Sequence, residues 1–178
     1  MKVEGEIEIT PNSVVLDGKA IEVSETGDKI LVELYRRYVG DYPKFFKMDT
    51  LARLGFIAAE LLLKEPRANS QEPTAIIMAN RSASIKNDSD YLATITNDNY
   101  YPSPALFVYT LPNIVTGEIA IRHHIQGETS FYILDNPAQL EQIILSTFNS
   151  QLSTILAGWC ECSAKNEYYA KLQIIWNN

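Results

Sequence analysis

Cysteine and histidine are scarce in this chain: 178 residues contain two of each, Cys160 with Cys162 and His123 with His124. A zinc centre needs about four nitrogen or sulfur ligands, so two adjacent histidines far from two cysteines give no metal site. The Cys-x-Cys spacing also differs from the redox spacing Cys-x-x-Cys. Both residues lie in ILAGWCEC, which alternates like a strand, so they share one face and read as reduced structural thiols. Positive charge is also short, with 15 Lys and Arg against 22 Asp and Glu, a net charge of −7. That balance excludes a general nucleic-acid binder, which presents a basic face. No apolar run approaches the ~18 residues of a membrane span. The opening MKVEGEIEIT lacks the apolar core of a signal peptide, so the cytoplasm is the expected compartment. No cofactor motif, internal repeat or low-complexity tract is present.

What is present suffices for a packed core: 46 % of residues are hydrophobic and 10 % aromatic, in a length that suits one domain, 1–178. Residues 2–9 and 13–23 alternate and carry an Asp-Gly turn signal at Gly18, predicting strands joined by a turn. A short helix is expected from Asp28. Leu51, Leu54, Ala58 and Leu61 recur at helical spacing over 49–64, with Asp49 as N-cap and Pro66 beyond the end. TAIIMAN (74–80) reads as a buried strand, and 81–105, rich in Asn, Asp, Ser and Pro, as a long loop. FVYTL (107–111) reads as a short extended piece, followed by a helix from near Pro112. Residues 129–134 predict a strand, 137–152 a helix, and 154–162 with 168–176 a closing strand pair. The alternation predicts an α/β domain with a mixed sheet of about five strands covered by helices.

The segment LPNIVTGEIAIRHHIQGETSFYILDNP (111–137) carries a more specific pattern. Asn113, a small-residue helix (Val115, Thr116, Gly117, Ile119, Ala120), Gly127 and an apolar strand resemble the approach to the catalytic cysteine in β-ketoacyl synthases. Three further blocks resemble that family in the same order: YPKFFKMDTLARLGFIAAELLL (42–63), YYPSPALFVYTLPN (100–113) and LAGWCE (156–161). The resemblance is to the thiolase-like ketosynthases, in particular the small N-terminal-domain type encoded with aryl-polyene or flexirubin-type pigment biosynthesis. It implies a thiolase-like half-fold, with the family's second half and its two catalytic histidines missing after Asn178.

Counting from Gly127, the family's nucleophile falls on Asn136, preceded by Asp135. Claisen condensation needs a thiolate there and histidine donors to decarboxylate the malonyl thioester; the nearest thiol in sequence is Cys160. Asn136 has an independent explanation, because Asn-Pro-x-Gln suits N-cap, N1 and N3 of a helix. An acid–amide pair at this point also resembles the chain-length factors, non-catalytic partners of ketosynthases. His123 and His124 near a helix end read as surface residues favoured by the helix dipole.

The resemblance further implies that Thr129, Ser130, Phe131, Tyr132, Ile133 and Leu134 form a strand at a subunit interface. That interface would belong to a homodimer or to a heterodimer with an active ketosynthase. Arg36, Arg37, Lys44, Lys47 and Arg53 cluster in sequence and could dock an acidic acyl carrier protein, or could be a solvated helix face. Asp88, Asp90 and Asp98 lack the glycine and terminal glutamate of a calcium loop. Ser82 and Ser84 have no nearby histidine to activate them. The expected function is a non-catalytic, chain-length-factor-like partner of a condensing enzyme in fatty-acid-like or polyene synthesis. The alternatives are a self-associating or ligand-binding module without acyl chemistry, or a 3-oxoacyl-acyl-carrier-protein synthase by resemblance alone.

Overall fold

A computed structural model describes residues 1–64, 75–98, 101–148 and 154–176. In chain order the elements are β1 (Lys2–Thr10), β2 (Ser13–Leu16), β3 (Lys19–Ile21), α1 (Lys29–Leu34), α2 (Thr50–Lys64), β4 (Ala75–Asn80), α3 (Ile85–Leu92), α4 (Pro104–Val108), α5 (Ile114–His123), β5 (Thr129–Ile133), α6 (Pro137–Phe148), β6 (Thr154–Ala164) and β7 (Glu167–Trp176). A π-helical turn (Tyr35–Val39) extends α1, and a 3-10 turn (Pro43–Lys47) precedes α2. The strands form one mixed sheet in the order β3-β2-β1-β7-β6-β4-β5. β4 runs parallel to both β5 and β6, and the remaining pairs are antiparallel.

The mixed α/β architecture matches the expectation, but the sheet has seven strands where about five were predicted. Much of the surplus comes from the β2–β3 hairpin, whose Asp17-Gly18 turn has both residues at positive φ (50° and 76°). That is the turn whose twist suits a two-residue hairpin.

Each face of the sheet has its own core. α1, α2 and α5 cover one face and bury Ile30, Leu34, Leu54, Ala58 and Ile119 against Ile76, Met78, Leu156 and Leu172. α6 covers part of the other with Leu140, Ile144 and Phe148 over Ala75, Ile77, Ala79, Ile155 and Ala157. β4 lies between the two cores and every residue of it is buried, which explains its unbroken apolar run. Two glycines set the spacing. A Cβ on Gly55 of α2 would lie 2.4 Å from Val115 Cγ1 of α5, and one on Gly158 of β6 would lie 2.0 Å from the Lys171 carbonyl of β7.

Two local expectations are corrected. Residues 107–111 are not extended: 107 and 108 end a helix that begins at Pro104, and 109–111 form a turn and bend, because Ser103 caps the helix by accepting from the Leu106 N–H (3.4 Å) and Pro104 sits in its first turn. Residues 85–92 form a helix inside the anticipated loop, supported by the Lys86–Asp90 ion pair at i,i+4. Ser89 is exposed, Asp88 and Asp90 are half-buried, and Asn87 faces inward, so a loop-like composition conceals a helix packed at the surface. The last residues of the predicted 137–152 helix, 149–152, lie outside the described residues.

Candidate functional site

The parallel strands β4, β5 and β6 end on one side of the sheet, where open α/β sheets commonly place their ligands. β4 leads there into a turn closed by buried Asn80, whose amide donates to the Ala83 carbonyl (2.8 Å) and accepts from the Ala83 N–H (2.9 Å). Beside it, Glu161 of β6 accepts from the Arg81 N–H (2.8 Å) through one oxygen, while its other oxygen is buried without a hydrogen-bond partner among the described residues. β5 turns into α6 at the same level through Asp135 and Asn136.

Asn136 caps α6. Its Oδ1 accepts from the Ala138 N–H (3.1 Å), and its own N–H, together with that of Asp135, donates to Gln139 Oε1 (3.3 and 2.8 Å). Pro137 opens the helix, where a missing N–H costs nothing. This reciprocal arrangement is the capping box read from the sequence. Asp135 and Asn136 are both exposed, and neither provides a thiol or hydroxyl nucleophile.

The two cysteines do not substitute. Cys160 and Cys162 lie together on the face of β6 covered by α2, both in the core. Burial pushes both thiols up, Cys160 well above its ordinary value and Cys162 to about 12. A nucleophilic cysteine needs the opposite shift. The histidines are also misplaced for chemistry at Asn136. They close α5 just ahead of β5, whereas Asn136 follows β5. A five-residue strand separates the two levels by roughly 16 Å.

The structure places the predicted interface strand at the end of the sheet, where β5 pairs with β4 alone among the described residues. Glu128 O accepts from Ile76 N–H and Leu134 N–H donates to Asn80 O, each at 2.8 Å. By the alternation of the ladder, Ser130, Tyr132 and Leu134 also turn their backbone groups toward β4. Those of Thr129, Phe131 and Ile133 therefore face away. Phe131 packs into one core, Tyr132 and Leu134 against the other, and Ile133 is half exposed at 51 %.

The five basic residues do not assemble into one free patch. Arg37 pairs with Glu33 (3.1 Å) and donates to the Glu22 carbonyl. Lys44 pairs with buried Glu118 (2.6 Å). Arg53 donates to the Phe45 and Phe46 carbonyls (3.2 and 2.9 Å) and lies over the Phe45 ring. Arg36 and Lys47 are exposed and remain the most available of the set.

One constellation escaped the sequence reading. Glu60 lies on the buried side of α2, 1 % exposed, and its Oε1 meets Arg122 Nε (3.0 Å) and His123 Nε2 (2.9 Å) of α5. Arg122 also holds Asp41 (2.7 Å) and covers the Tyr42 ring, and the Tyr42 hydroxyl donates to Glu118 (3.2 Å). Burial pushes the Glu60 carboxyl up, but its contacts with His123 and Arg122 outweigh that and hold it below the usual carboxylate range. His123 is thus an internal tie between α2 and α5, which corrects its reading as a solvated surface residue. His124 alone is exposed, in the left-handed conformation that ends the helix. The available signal was a glutamate inside the apolar run FIAAELLL.

No family model matches the sequence, and no curated protein resembles it closely enough to match. Solved structures do match. A chain of the ketosynthase (ApeO) in complex with its chain length factor (ApeC) from Xenorhabdus doucetiae superposes with a TM-score of 0.70 at 12 % identity. The alignment covers 99 % of this chain and 79 % of that one. The ishigamide ketosynthase/chain length factor gives a TM-score of 0.72 at 15 % identity over 98 % of this chain and 61 % of that one. The fold is thiolase-like and ketosynthase-like, as the sequence blocks implied.

Proposed function

We propose that the chain is a non-catalytic, chain-length-factor-like subunit that pairs with a condensing enzyme in polyketide or polyene biosynthesis. The observation that carries this reading is the β5–α6 corner. The position that the sequence resemblance gives to a ketosynthase nucleophile is Asn136 here, and its side chain and N–H are both used to start α6. Support comes from Cys160 and Cys162, buried with raised pKa values under α2, and from His123, tied to Glu60. The matched structures are assemblies of a ketosynthase with its chain length factor, which favours a partner of the first kind here. The edge position of β5 supplies the means: an apolar strand without Lys or Pro is a template for a second sheet. An aryl-polyene-type pathway, the cytoplasm, a single domain over 1–178 and a carrier-protein contact at Arg36 and Lys47 are the finer parts of this proposal.

The test has two arms. The isolated chain, incubated with an acyl thioester, stays unlabelled. The tagged chain, recovered from its own host, carries a condensing enzyme with an intact cysteine in a fixed ratio. Turnover through Cys160 or Cys162, or a fixed-ratio partner without the ketosynthase fold, overturns the reading.

A further inference from the structure

α4 is apolar throughout, Pro-Ala-Leu-Phe-Val, yet none of its residues is buried. A helix that is hydrophobic on all sides normally lies inside a core. Here Phe107 is 57 % exposed, Val108 47 %, and Leu111 just beyond them 56 %. From Tyr101 to Gly117 the sequence contains no charged residue, although the chain as a whole is 21 % charged. Depletion of charge around exposed aromatic and aliphatic side chains marks the centre of a protein interface.

The element is also held in place. Buried Asn87 of α3 donates to the Leu106 carbonyl (2.8 Å), Ser84 Oγ donates to the Thr110 carbonyl (2.6 Å), and the Tyr91 ring meets Phe107 at 5.5 Å. The two hydrogen bonds take backbone carbonyls on the inner side, and Phe107, Val108 and Leu111 remain exposed. A pre-fixed surface binds without the ordering cost of a mobile one.

A short series of contacts links this surface to β5. Leu134 bonds to Asn80, the Asn80 side chain clasps Ala83, and the adjacent Ser84 bonds to Thr110, the residue before Leu111. We infer that α4 and Leu111 continue the face begun by β5, so that one thiolate-bearing ketosynthase-fold subunit covers both. This rests on the function proposed above. A membrane surface is the less suitable occupant, because the stretch offers no Lys or Arg to meet anionic lipid.

The experiment installs a photo-crosslinking amino acid at Leu111, at Ile133 and, as a control, at Lys19 on the opposite edge of the sheet. Each chain is expressed in the native host, irradiated, and its crosslinked peptides identified. Leu111 and Ile133 are expected to label one and the same condensing enzyme, with Lys19 labelling it at least tenfold less. If Ile133 labels that enzyme and Leu111 labels lipid, a second copy of this chain, another protein or nothing, the inference falls while the proposed function stands. If Leu111 and Ile133 both fail to label a condensing enzyme, the proposed function falls with it.

Discussion

Asp49 caps α2, its Oδ1 accepting from the Ala52 N–H at 2.8 Å. Burial pushes its carboxyl up from 3.8 to about 6, against the N–H groups of Ala52 and Leu51 and the charges of Lys86 and Arg53, which all act the other way. The folded protein therefore binds this proton more tightly than the unfolded chain does. The contribution of Asp49 to stability is greatest below about pH 4, where it is protonated, and is lost as pH rises from there through about 6. The gap between 3.8 and about 6 is worth roughly 3 kcal/mol at alkaline pH. Asn caps a helix as well as Asp and carries no charge, so Asp49→Asn recovers most of that, about 2 kcal/mol once partial solvent contact and loss of attraction to Lys86 are allowed for. In a chain of this size that is a rise in Tm of about 4–8 °C. Urea unfolding at pH 8, 6 and 4, followed by Trp159 and Trp176 fluorescence, provides the measurement. The gain should be full at pH 8, nearly full at pH 6, where the unfolded carboxylate is already ionised, and mostly gone at pH 4. An unchanged or lowered stability at pH 8, or a gain of equal size at all three values, would refute the account of Asp49 as a burial-strained carboxylate.

Ile133→Pro removes an N–H that faces away from β4 and so leaves the internal ladder intact; native mass spectrometry should show loss of the proposed partner subunit with a circular dichroism spectrum like wild type. Asn136→Ala forfeits one side-chain cap and should cost about 1 kcal/mol of stability, a drop of about 2–4 °C in Tm; a larger loss would show that Asn136 does more than start α6. Asn136→Cys adds a thiol at a helix start but leaves His123 and His124 a strand's length away, so a malonyl-thioester assay should detect no condensation. Gly158→Ala drives a methyl against the Lys171 backbone carbonyl, which cannot move aside, and should yield protein that is insoluble or lacks a cooperative unfolding transition.

What the sequence disclosed was chiefly what is decided within a few residues. The Asn136, Pro137 and Gln139 cap was readable because its bonds span three positions. The β4 strand was readable because burial on both faces removes polar residues from it. α4 misled because FVYTL has strand-like composition, while the helical decision came from Ser103 and Pro104 upstream. The basic cluster at 36–53 was visible as a run of charges, but its dispersal depended on Glu118, Glu33 and backbone carbonyls that no local count includes. The tie of Glu60 to Arg122 joins positions 62 residues apart, with His123 next to Arg122, and left only a buried glutamate as a trace. The edge position of β5 was implied by family resemblance, since periodicity cannot rank strands across a sheet.

The two ends of the sheet are unequal, and the inequality bears on how an assembly would stop. β3 is three residues long, is tied to β2 by a tight turn, and exposes Lys19 and Ala20. Such an edge resists addition of another strand. β5, at the other end, has the longer apolar margin. Among the described strands, therefore, sheet extension would be one-sided. A single pairing through β5 would use up the receptive margin and leave only the blunted one, so association through the sheet would end at two subunits instead of propagating into a fibre.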